Sequence, residues 1–382
     1  MPPSTSLMDT FSMSTATGTL TIDLSALRAN WDTLCSVLDQ RPAAVIKADA
    51  YGLGAEPVGQ TLYRAGCQEF FLATLEEALT ARSFLPDDAV LYILGGVRPG
   101  EEEECINAGL IPVLYSRAAM DRWASVCRAL DVASPSVIKV DTGMTRMGLS
   151  REDWRDCVAQ PELLAGCHPV LIMSHLACAD EPDHPMNRAQ QQRFAEVAQS
   201  ARRLLPGIRC SLANSSGIFL GADWHFDLAR PGASLYGFDP VADGEPAMAA
   251  VVKLDLPVLQ VRELSHPASI GYGGETRLPA GRRLAVVAGG YADGLNRTIG
   301  REGGVGYLGN TRVPVVGRIS MDTTIFDITG AAPPESPEST WITVLDHRLR
   351  VADVSRRIGS LGYEVLTSLA GRYRRVYREV AQ

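Results

Sequence analysis

Short apolar runs alternate with longer amphipathic segments over the first 230 residues of the chain. The longer segments, such as 117–130 and 188–204, carry apolar residues at the spacing of one helix face. Eight runs have the length of a strand: 43–47, 69–73, 90–94, 111–115, 136–141, 169–174, 208–213 and 226–229. Eight strands that alternate with helices predict an α/β fold with a (β/α)8 barrel of the TIM type rather than an open sheet.

The pattern changes beyond the turn-rich segment 239–248. Runs rich in β-forming residues, with Gly and Pro between them, lie at 250–263, 284–288, 312–316, 323–328 and 341–345. We therefore expect the barrel to cover 19–246 and a mainly antiparallel C-terminal β domain to cover 247–382. The early run 19–24 is also suited to pairing into the second domain, and residues 1–18 are expected to be disordered.

The composition excludes several classes of protein. No apolar run approaches the ~20 residues that cross a bilayer, so no membrane partner is expected. A net charge of -8 without a basic stripe argues against a nucleic-acid partner. The first 18 residues lack the basic and apolar regions of a signal peptide, which favours the cytoplasm. Eight cysteines stand without a CxxC pair, which indicates reduced thiols and no metal site.

Lysine is rare in this chain. Of 36 basic residues only Lys47, Lys139 and Lys253 are lysines, and all three lie in apolar, strand-like runs. A chain that uses arginine elsewhere keeps lysine where arginine cannot replace it, for example as an amine that forms an imine. A lysine at a strand end that reaches into water is the alternative, and for Lys253 the two interpretations are equally supported.

Polar residues follow the predicted barrel strands, where active sites of such barrels lie. They are Lys47, Lys139, Asp141, Arg146, His175, Asn214, Ser215 and Arg230. The set contains an amine nucleophile, an imidazole, hydroxyl and amide donors, and permanent cations. The chain has neither a Rossmann fingerprint nor a Walker loop. This combination fits a carbonyl or phosphate cofactor that a lysine holds as an imine.

The sequence around Lys47, AVIKADAYGLGA, resembles the cofactor-lysine motif of alanine racemases. The resemblance continues, in the order of that family, in VDTGMTRMGL (140–149), SHLACADE (174–181), ANSSG (213–217), ARPGASLYG (229–237), SIGYGG (269–274), GYADG (290–294), VGRISMD (316–322) and GYEV (362–365). These motifs span nearly the whole chain after residue 19, and nine matches in order are highly specific.

The resemblance implies a homodimeric, pyridoxal-phosphate-dependent isomerase that interconverts L- and D-alanine and supplies D-alanine for peptidoglycan. Lys47 would hold the cofactor as an imine and act as one of two bases. Tyr272 would be the base on the opposite face, supplied across the dimer interface so that the active sites are shared. A tyrosine with an ordinary pKa of ~10 needs neighbours that stabilise its anion, and the resemblance offers His175 and Arg230.

The resemblance also assigns binding residues. His175 would lie by the cofactor ring, and Arg230 would face the pyridine nitrogen and keep it unprotonated, which limits the ring as an electron sink. The remaining cofactor-binding residues, most of them at the phosphate, would be Tyr51, Asn214, Ser215, Gly232, Ala233 and Tyr363. Arg146, Tyr272 and the backbone N–H of Met321 would bind the substrate, whose entrance would be lined by Tyr291, Asp180, Arg297 and Arg318.

Lys139 matches a position that is carbamylated in many family members, and an ion pair with Asp141 is the alternative. The chain departs from the family pattern at Leu53, at Ser320 and in GRYRRVY (371–377), which lacks a proline. Other functions stay open at this point. They are a racemase for serine or for many amino acids, a decarboxylase of the same fold, a carrier of the cofactor without turnover, and a barrel with a structural role. The decarboxylases use a cysteine in the second domain, where this chain has none.

Overall fold

The computed structural model describes residues 17–239, 247–332, 336, 339–369 and 371–379. Most of the N-terminal segment expected to be disordered, and part of the turn-rich boundary, lie outside these residues. The chain forms two compact units. The barrel unit is Asp23–Val251 with the end of the chain from Arg378, and the β unit is the start of the chain to Ile22 with Val252–Tyr377. The first strand, β1 (Thr19–Asp23), belongs mainly to the β unit.

Within its described residues, the barrel unit has seven parallel strands that pair in chain order. They are β2 (Ala44–Val45), β3 (Glu69–Leu72), β4 (Val90–Ile93), β5 (Ile111–Leu114), β6 (Ser136–Lys139), β7 (Pro169–Met173) and β8 (Arg209–Ser211). The helices of this unit are α1 (Leu24–Val37), α2 (Lys47–Gly52), α3 (Ala55–Arg64), α4 (Leu75–Arg82), α5 (Glu102–Asn107), α6 (Arg117–Leu130), α7 (Arg151–Ala159), α8 (Glu162–Ala165), α9 (Pro185–Leu204) and α10 (Ser215–Ile218). This alternation confirms the predicted fold class.

The segment 227–231 closes the ring between β8 and β2. The hydrogen bonds on its two sides are Asp227 N–H to Cys210 O, Arg230 N–H to Ala213 O, Ala43 N–H to Ala229 O and Val45 N–H to Pro231 O, each 2.9 Å long. The eighth strand, predicted at 226–229, is therefore a short bridging segment that begins one residue later. The segment does not include Phe226, because that residue has a left-handed φ of 50°, which is incompatible with an extended backbone.

Apolar side chains fill the interior of the barrel, among them Phe71, Val113, Val137, Leu171 and Met173. The middle strands β5 and β6 are buried at every position. Parallel strands that are covered on both faces have continuous apolar runs instead of alternating ones, which is the pattern in the sequence. This packed interior fixes the strand ends, from which the candidate site residues extend.

The β unit is built on an antiparallel sheet around one long strand. Its strands are β1 together with β9 (Val252–Glu263), β10 (Ala268–Ile270), β11 (Thr276–Leu278), β12 (Arg283–Ala288), β13 (Val305–Leu308), β14 (Thr311–Pro314), β15 (Thr323–Asp327), β16 (Trp341–Leu345) and β17 (Arg374–Arg378). The helices α11 (Val351–Ile358) and α12 (Gly362–Ser368) follow β16. Strand β9 pairs antiparallel with β1, β12 and β16, so the early run at 19–24 does pair into this sheet.

None of the described helices has the length and apolar character needed to cross a bilayer. All eight cysteines lie in the described range 17–239 and are free thiols, six of them buried.

Candidate active site

The segment that follows β2 has an unusual backbone. From Ala48 to Tyr51 every residue has a left-handed φ between 51° and 59°. Such a conformation costs about 1 kcal/mol for each residue that has a Cβ, so other contacts must maintain it. The carboxylate of Glu77 on α4 accepts the Ala48 N–H at 2.9 Å and the Ala73 N–H at 2.7 Å. This turn holds Lys47 at the carboxyl end of β2.

The amine of Lys47 has a pKa below its ordinary value, mainly because it is partly buried. The positive charge of Arg146 lowers the pKa further, and the carboxylate of Glu77 opposes the shift. A lowered pKa gives a larger fraction of neutral amine near pH 7, and only the neutral amine can attack a carbonyl or accept a proton.

Tyr51 packs against the backbone of Gly232. A Cβ added at Gly232 would lie 2.6 Å from the Tyr51 hydroxyl oxygen and 3.2 Å from Cβ of Val45, so only glycine allows this approach. The ring of Tyr51 lies 4.7 Å from the ring of Tyr236, whose hydroxyl donates to Val45 O at 2.8 Å. The left-handed turn therefore places Tyr51 beside the segment that begins at Gly232.

Hydroxyl and N–H groups cluster beside this segment. The Ser215 hydroxyl oxygen accepts the N–H groups of Gly232 at 3.0 Å and of Ser234 at 3.1 Å, so its own proton is available for donation. The Ser234 hydroxyl oxygen is buried and has no partner in the described structure. The N–H of Ala233 has no acceptor among the described residues. Converging donors of this kind fit a phosphate dianion.

Asn214 contributes to this cluster indirectly. Its side-chain oxygen accepts the Gly217 N–H at 2.9 Å and so caps α10, whose first residue is Ser215. The capping bond fixes the start of the helix and thereby the direction of the Ser215 side chain.

Arg230 is buried and has only neutral acceptors. Its guanidinium donates to the Ser211 hydroxyl, to Ser174 O and, at 3.4 Å, to Leu212 O. No carboxylate of the described residues pairs with it. Burial lowers the pKa of Arg230 to about 9, so the group stays protonated at neutral pH. The structure therefore provides the fixed cation that the sequence predicts at this position.

Lys139 is the last residue of β6 and is 7% exposed. Burial lowers its pKa to about 8, and the charges of Arg146 and Arg230 add to the shift. Lys139 forms no ion pair with Asp141 in the described structure, although the charge of Asp141 opposes the shift, and the Asp141 carboxylate accepts the Gly143 N–H at 2.8 Å. Arg146 is exposed and pairs with no carboxylate of the described chain.

His175 follows β7 and faces the same cations. Burial, together with the charges of Arg230, Lys139, Arg146 and Lys47, lowers its pKa well below the ordinary value. The imidazole is therefore neutral at pH 7. A neutral imidazole can lie against an aromatic ring and still offer one donor and one acceptor.

Gln190 on α9 holds the loops that follow β6 and β7. Its Nε2 donates to His175 O at 2.9 Å and to the Thr142 hydroxyl at 3.2 Å, and its Oε1 accepts the Ala177 N–H at 2.9 Å. The side chain is fully buried. Sequence reasoning missed this residue, because RAQQQRF has the composition of an ordinary exposed helix face.

In the β unit, Tyr272 lies in a tight turn after β10 and is 67% exposed. The guanidinium of Arg318 packs against Gly273, where an added Cβ would lie 3.3 Å from it. Arg318 also forms a bidentate ion pair with Glu275. The turn that carries Tyr272 is thus held by one of the predicted entrance residues.

Two adjacent turns in the β unit bring together three more predicted residues, Tyr291, Arg297 and Met321. Tyr291 N–H donates to Ser320 O at 3.0 Å, which places the Tyr291 turn beside Met321. The guanidinium carbon of Arg297 lies 5.6 Å from the centre of the Tyr291 ring. Met321 is 53% exposed, and its N–H has no acceptor among the described residues. This N–H is available for a substrate group.

Two further predicted residues are exposed. Tyr363 lies in the first turn of α12. Asp180 lies in the loop before α9, which Asn187 holds through hydrogen bonds to Cys178 O at 3.0 Å and Glu181 O at 2.8 Å.

The candidate residues are divided between the two units. The barrel unit carries Lys47, Tyr51, Lys139, Arg146, His175, Asp180, Asn214, Ser215, Arg230, Gly232 and Ala233. The β unit carries Tyr272, Tyr291, Arg297, Arg318, Met321 and Tyr363. A (β/α)8 barrel with a lysine of lowered pKa, a buried arginine and a cluster of N–H and hydroxyl donors at its strand ends is typical of enzymes that act on amines through a carbonyl cofactor.

Comparisons with known proteins name the family within this class. Residues 22–240 match the model of the alanine racemase N-terminal domain, and residues 251–377 match that of the C-terminal domain. The alanine racemase of Rhodospirillum rubrum is 45% identical over 96% of this chain and 97% of its own length. The catabolic alanine racemase of Agrobacterium fabrum is 42% identical over 95% of this chain and 92% of its own length. The chain belongs to the alanine racemase family.

A solved structure supports the same assignment. The alanine racemase from Bartonella henselae, with covalently bound pyridoxal phosphate, has a TM-score of 0.89 and 36% sequence identity. The match covers 95% of this chain and 100% of that chain.

Proposed function

We propose that this protein interconverts L- and D-alanine with pyridoxal phosphate, using Lys47 and Tyr272 as the two bases. The observation that carries the proposal is Lys47, a lysine of lowered pKa held by a strained turn at a barrel strand end. That lysine lies in a chain whose two parts match the two domain models of alanine racemases.

The barrel residues fit the cofactor. The buried Ser234 hydroxyl without a partner, and the Gly232 surface on which a Cβ would meet the Tyr51 hydroxyl, suit its phosphate. Lys47 would bind the carbonyl carbon, Arg230 would face the ring nitrogen, and His175 would lie against the ring. Pyridoxal phosphate would supply a carbonyl that joins the amino group and a conjugated ring that withdraws electrons, which makes the Cα–H bond of the joined amino acid more acidic. Tyr363 would complete the phosphate site.

Racemisation requires one group to remove the Cα proton and another to return a proton on the opposite face. The neutral amine of Lys47 would remove the proton in one direction and its protonated form would return one in the other, and the lowered pKa makes the neutral form more accessible. The hydroxyl of Tyr272 would act on the other face. Its 67% exposure supports a role in the site of a second subunit, so we propose a homodimer with shared active sites.

Arg146 and the Met321 N–H would hold the substrate carboxylate, because both are donors without a partner among the described residues. Tyr291, Asp180, Arg297 and Arg318 would line the entrance and favour a small side chain. Serine differs from alanine by one hydroxyl, and an apolar pocket rejects such a near-isostere weakly. Serine is therefore the second substrate to test.

Lys139 would be carbamylated in the active protein. With a pKa of about 8, a substantial fraction of its amine is neutral at physiological pH. The neutral amine attacks CO2, an N–C bond forms, and one proton is released to solvent. The product is an anion beside Arg146 and Arg230, where it would offset the positive charge and orient Arg146. Native mass spectrometry should show one added CO2, which is absent in Lys139→Arg.

The cell would use the product as D-alanine for peptidoglycan, made in the cytoplasm. The free cysteines suit that location.

Chiral analysis of L-alanine incubated with protein and cofactor in D2O tests the proposed function. We expect D-alanine with deuterium at Cα, and loss of turnover in Lys47→Ala and Tyr272→Phe. Lys253→Ala is the matched lysine control, because Lys253 is exposed and pairs with Asp255 at 2.6 Å. Faster racemisation of serine would change the substrate assignment. Released CO2 would indicate a decarboxylase, and bound cofactor without any product would indicate a carrier.

A further inference from the structure

We propose that Arg372 is a positioning residue, which joins the turn that carries Tyr291 to the turn that carries Met321 and so sets the Met321 N–H toward the substrate. The proposal rests on the proposed function, in which that N–H binds the substrate carboxylate. Arg372 lies in the GRYRRVY segment, for which the sequence suggests no function.

The guanidinium of Arg372 contacts two carboxylates at once. Its Nε and Nη2 donate to the two oxygens of Asp293 at 2.7 and 2.8 Å, and its Nη1 donates to Asp322 at 2.8 Å. Asp293 is fully buried and ends the Tyr291 turn, whereas Asp322 directly follows Met321 and is exposed. One side chain therefore links a residue of each turn.

The buried carboxylate of Asp293 also holds the backbone of its own turn. It accepts the Gly290 N–H at 2.9 Å and the Thr17 hydroxyl at 3.1 Å. A buried carboxylate requires a cation and several donors to offset its lost hydration. Without Arg372, Asp293 would lose its only charged partner among the described residues, and the turn would lose its anchor.

The two turns touch along their backbones. Tyr291 N–H donates to Ser320 O, Ala292 N–H to Met321 O and Gly289 N–H to Asp322 O, at 3.0, 3.0 and 2.9 Å. A Cβ at Gly290 would lie 2.3 Å from Ser320 O, so glycine is required at this crossing. A shift of either turn is transmitted to the Met321 peptide, and an error of about 1 Å at a binding group can cost roughly a hundredfold in rate.

Lysine cannot replace Arg372 in this arrangement. The planar guanidinium uses two N–H groups for one carboxylate and a third for the other, whereas an ammonium is a point charge without that fork. The backbone of Arg372 is itself fixed, since Arg372 O accepts the Thr17 N–H at 3.2 Å and Arg374 N–H donates to Gly18 O at 2.9 Å. The segment lacks the family's proline, and hydrogen bonds to the two residues before β1 hold its backbone instead.

Steady-state kinetics of the cofactor-loaded Arg372→Lys protein test the proposal. We expect KM for L-alanine and for D-alanine to rise about tenfold, while the dissociation constant of the cofactor, bound in the barrel, changes less than about twofold. Asp322→Asn removes only the exposed end of the link and should raise KM in the same direction. The double variant should raise KM by less than the product of the two single effects, because both remove one link.

Arg348→Lys is the matched control. Arg348 also pairs with a buried carboxylate, because its Nε and Nη2 donate to one oxygen of Asp346 at 2.9 and 2.6 Å, and it contacts neither turn. This variant should lose comparable thermal stability and keep KM. Equal changes of KM in Arg348→Lys and Arg372→Lys, or an unchanged KM in the latter, would overturn the proposal.

Hydrogen–deuterium exchange separates this proposal from the proposed function. The segments 289–293 and 320–322 should exchange faster in Arg372→Lys than in wild type or Arg348→Lys, whatever the enzyme turns over. Unchanged exchange would refute the positioning role even in a fully active racemase. A wild-type protein without alanine turnover would refute the proposed function and leave the exchange result to decide whether Arg372 holds the two turns.

Discussion

At the scale of single residues, the barrel collects positive charge with little compensation. No carboxylate of the described residues pairs with Lys139, Arg146 or Arg230. The charges of the two arginines help to lower the pKa of Lys139, and all three charges help to lower the pKa of His175. Like charges close together destabilise an empty site, and an anionic ligand relieves the repulsion. Anionic groups of the proposed cofactor and substrate would therefore stabilise this arrangement.

The pKa of Lys139 leads to a prediction about stability and pH. The value of about 8 in the folded protein lies below the ordinary lysine value of 10.5. The folded state therefore releases this proton first, and the cost of the buried charge is full below pH 8 and disappears as the pH rises toward 10.5. Between those limits the free energy of unfolding of cofactor-free protein should rise, relative to Lys139→Met, by about 3 kcal/mol at most.

Urea unfolding in CO2-free buffer from pH 7 to pH 10.5 measures this difference. Parallel curves for the two proteins would show that Lys139 is not desolvated in the folded state.

Gly232 gives a second prediction at this scale. Gly232→Ala places a methyl group against the Tyr51 hydroxyl and Cβ of Val45, and overpacking of this kind costs about 1–3 kcal/mol. We expect the dissociation constant of pyridoxal phosphate to rise roughly five- to hundredfold, measured by spectral titration. Gly330→Ala, where a Cβ meets nothing within 4 Å, should bind the cofactor normally. Normal binding by Gly232→Ala would argue against a phosphate at this surface.

At the scale of elements, two loops depend on a helix that contributes no candidate catalytic group. Gln190 on α9 bonds the loops after β6 and β7, and Arg193 adds a bond from Nη1 to Thr142 O at 2.9 Å. The helix therefore fixes the direction in which His175 leaves its strand. The position of α9 thus determines the geometry of the loops that follow β6 and β7.

Replacing Gln190 by alanine should test this coupling. The His175 carbonyl and the Ala177 N–H lose their partner, whereas the Thr142 hydroxyl keeps the Ser174 hydroxyl at 2.8 Å. Each buried group left unpaired costs about 1–3 kcal/mol. We expect a lower thermal midpoint and at least about a tenfold loss of kcat, because His175 is no longer held. Gln192→Ala, at an exposed position of the same helix, should change neither quantity. Lower stability with unchanged kcat would limit Gln190 to a structural role.

At the scale of the whole molecule, the two proposed bases lie on different units of the chain. Lys47 belongs to the barrel unit and Tyr272 to the β unit. Tyr272 is largely exposed, which is unusual for a tyrosine with a catalytic role unless another surface covers it. A second copy of the chain is the proposed surface.

Mixed dimers test this arrangement. If Tyr272 acts in the site of the partner subunit, unfolding and refolding an equal mixture of Lys47→Ala and Tyr272→Phe should restore about a quarter of wild-type activity. Half of the dimers are then mixed, and each has one intact site. No recovery, with dimers present by light scattering, would place both bases within one chain.

The predictions from sequence succeeded where the signal is local. The lengths of the apolar runs and the helical spacing between them were sufficient for the (β/α)8 class, because parallel strands in a covered barrel are apolar at every position. The motif order indicated the family, which both domain models confirm. The rarity of lysine singled out Lys47, whose role stays a prediction. Boundaries were less accurate, as at 226–229, where the left-handed φ of Phe226 delays the bridging segment.

The sequence by itself thus determined the fold class and the family and singled out Lys47 as a candidate, since each depends on neighbouring residues or on motif order. Only the tertiary structure decided the pKa of Lys139, the neutral surroundings of Arg230, and the roles inferred for Gln190 and Arg372. Those properties depend on burial and on partners far apart in the chain, as in the pair of Arg372 with Asp293. No pattern of neighbouring residues records such contacts, because they exist only after the chain has folded.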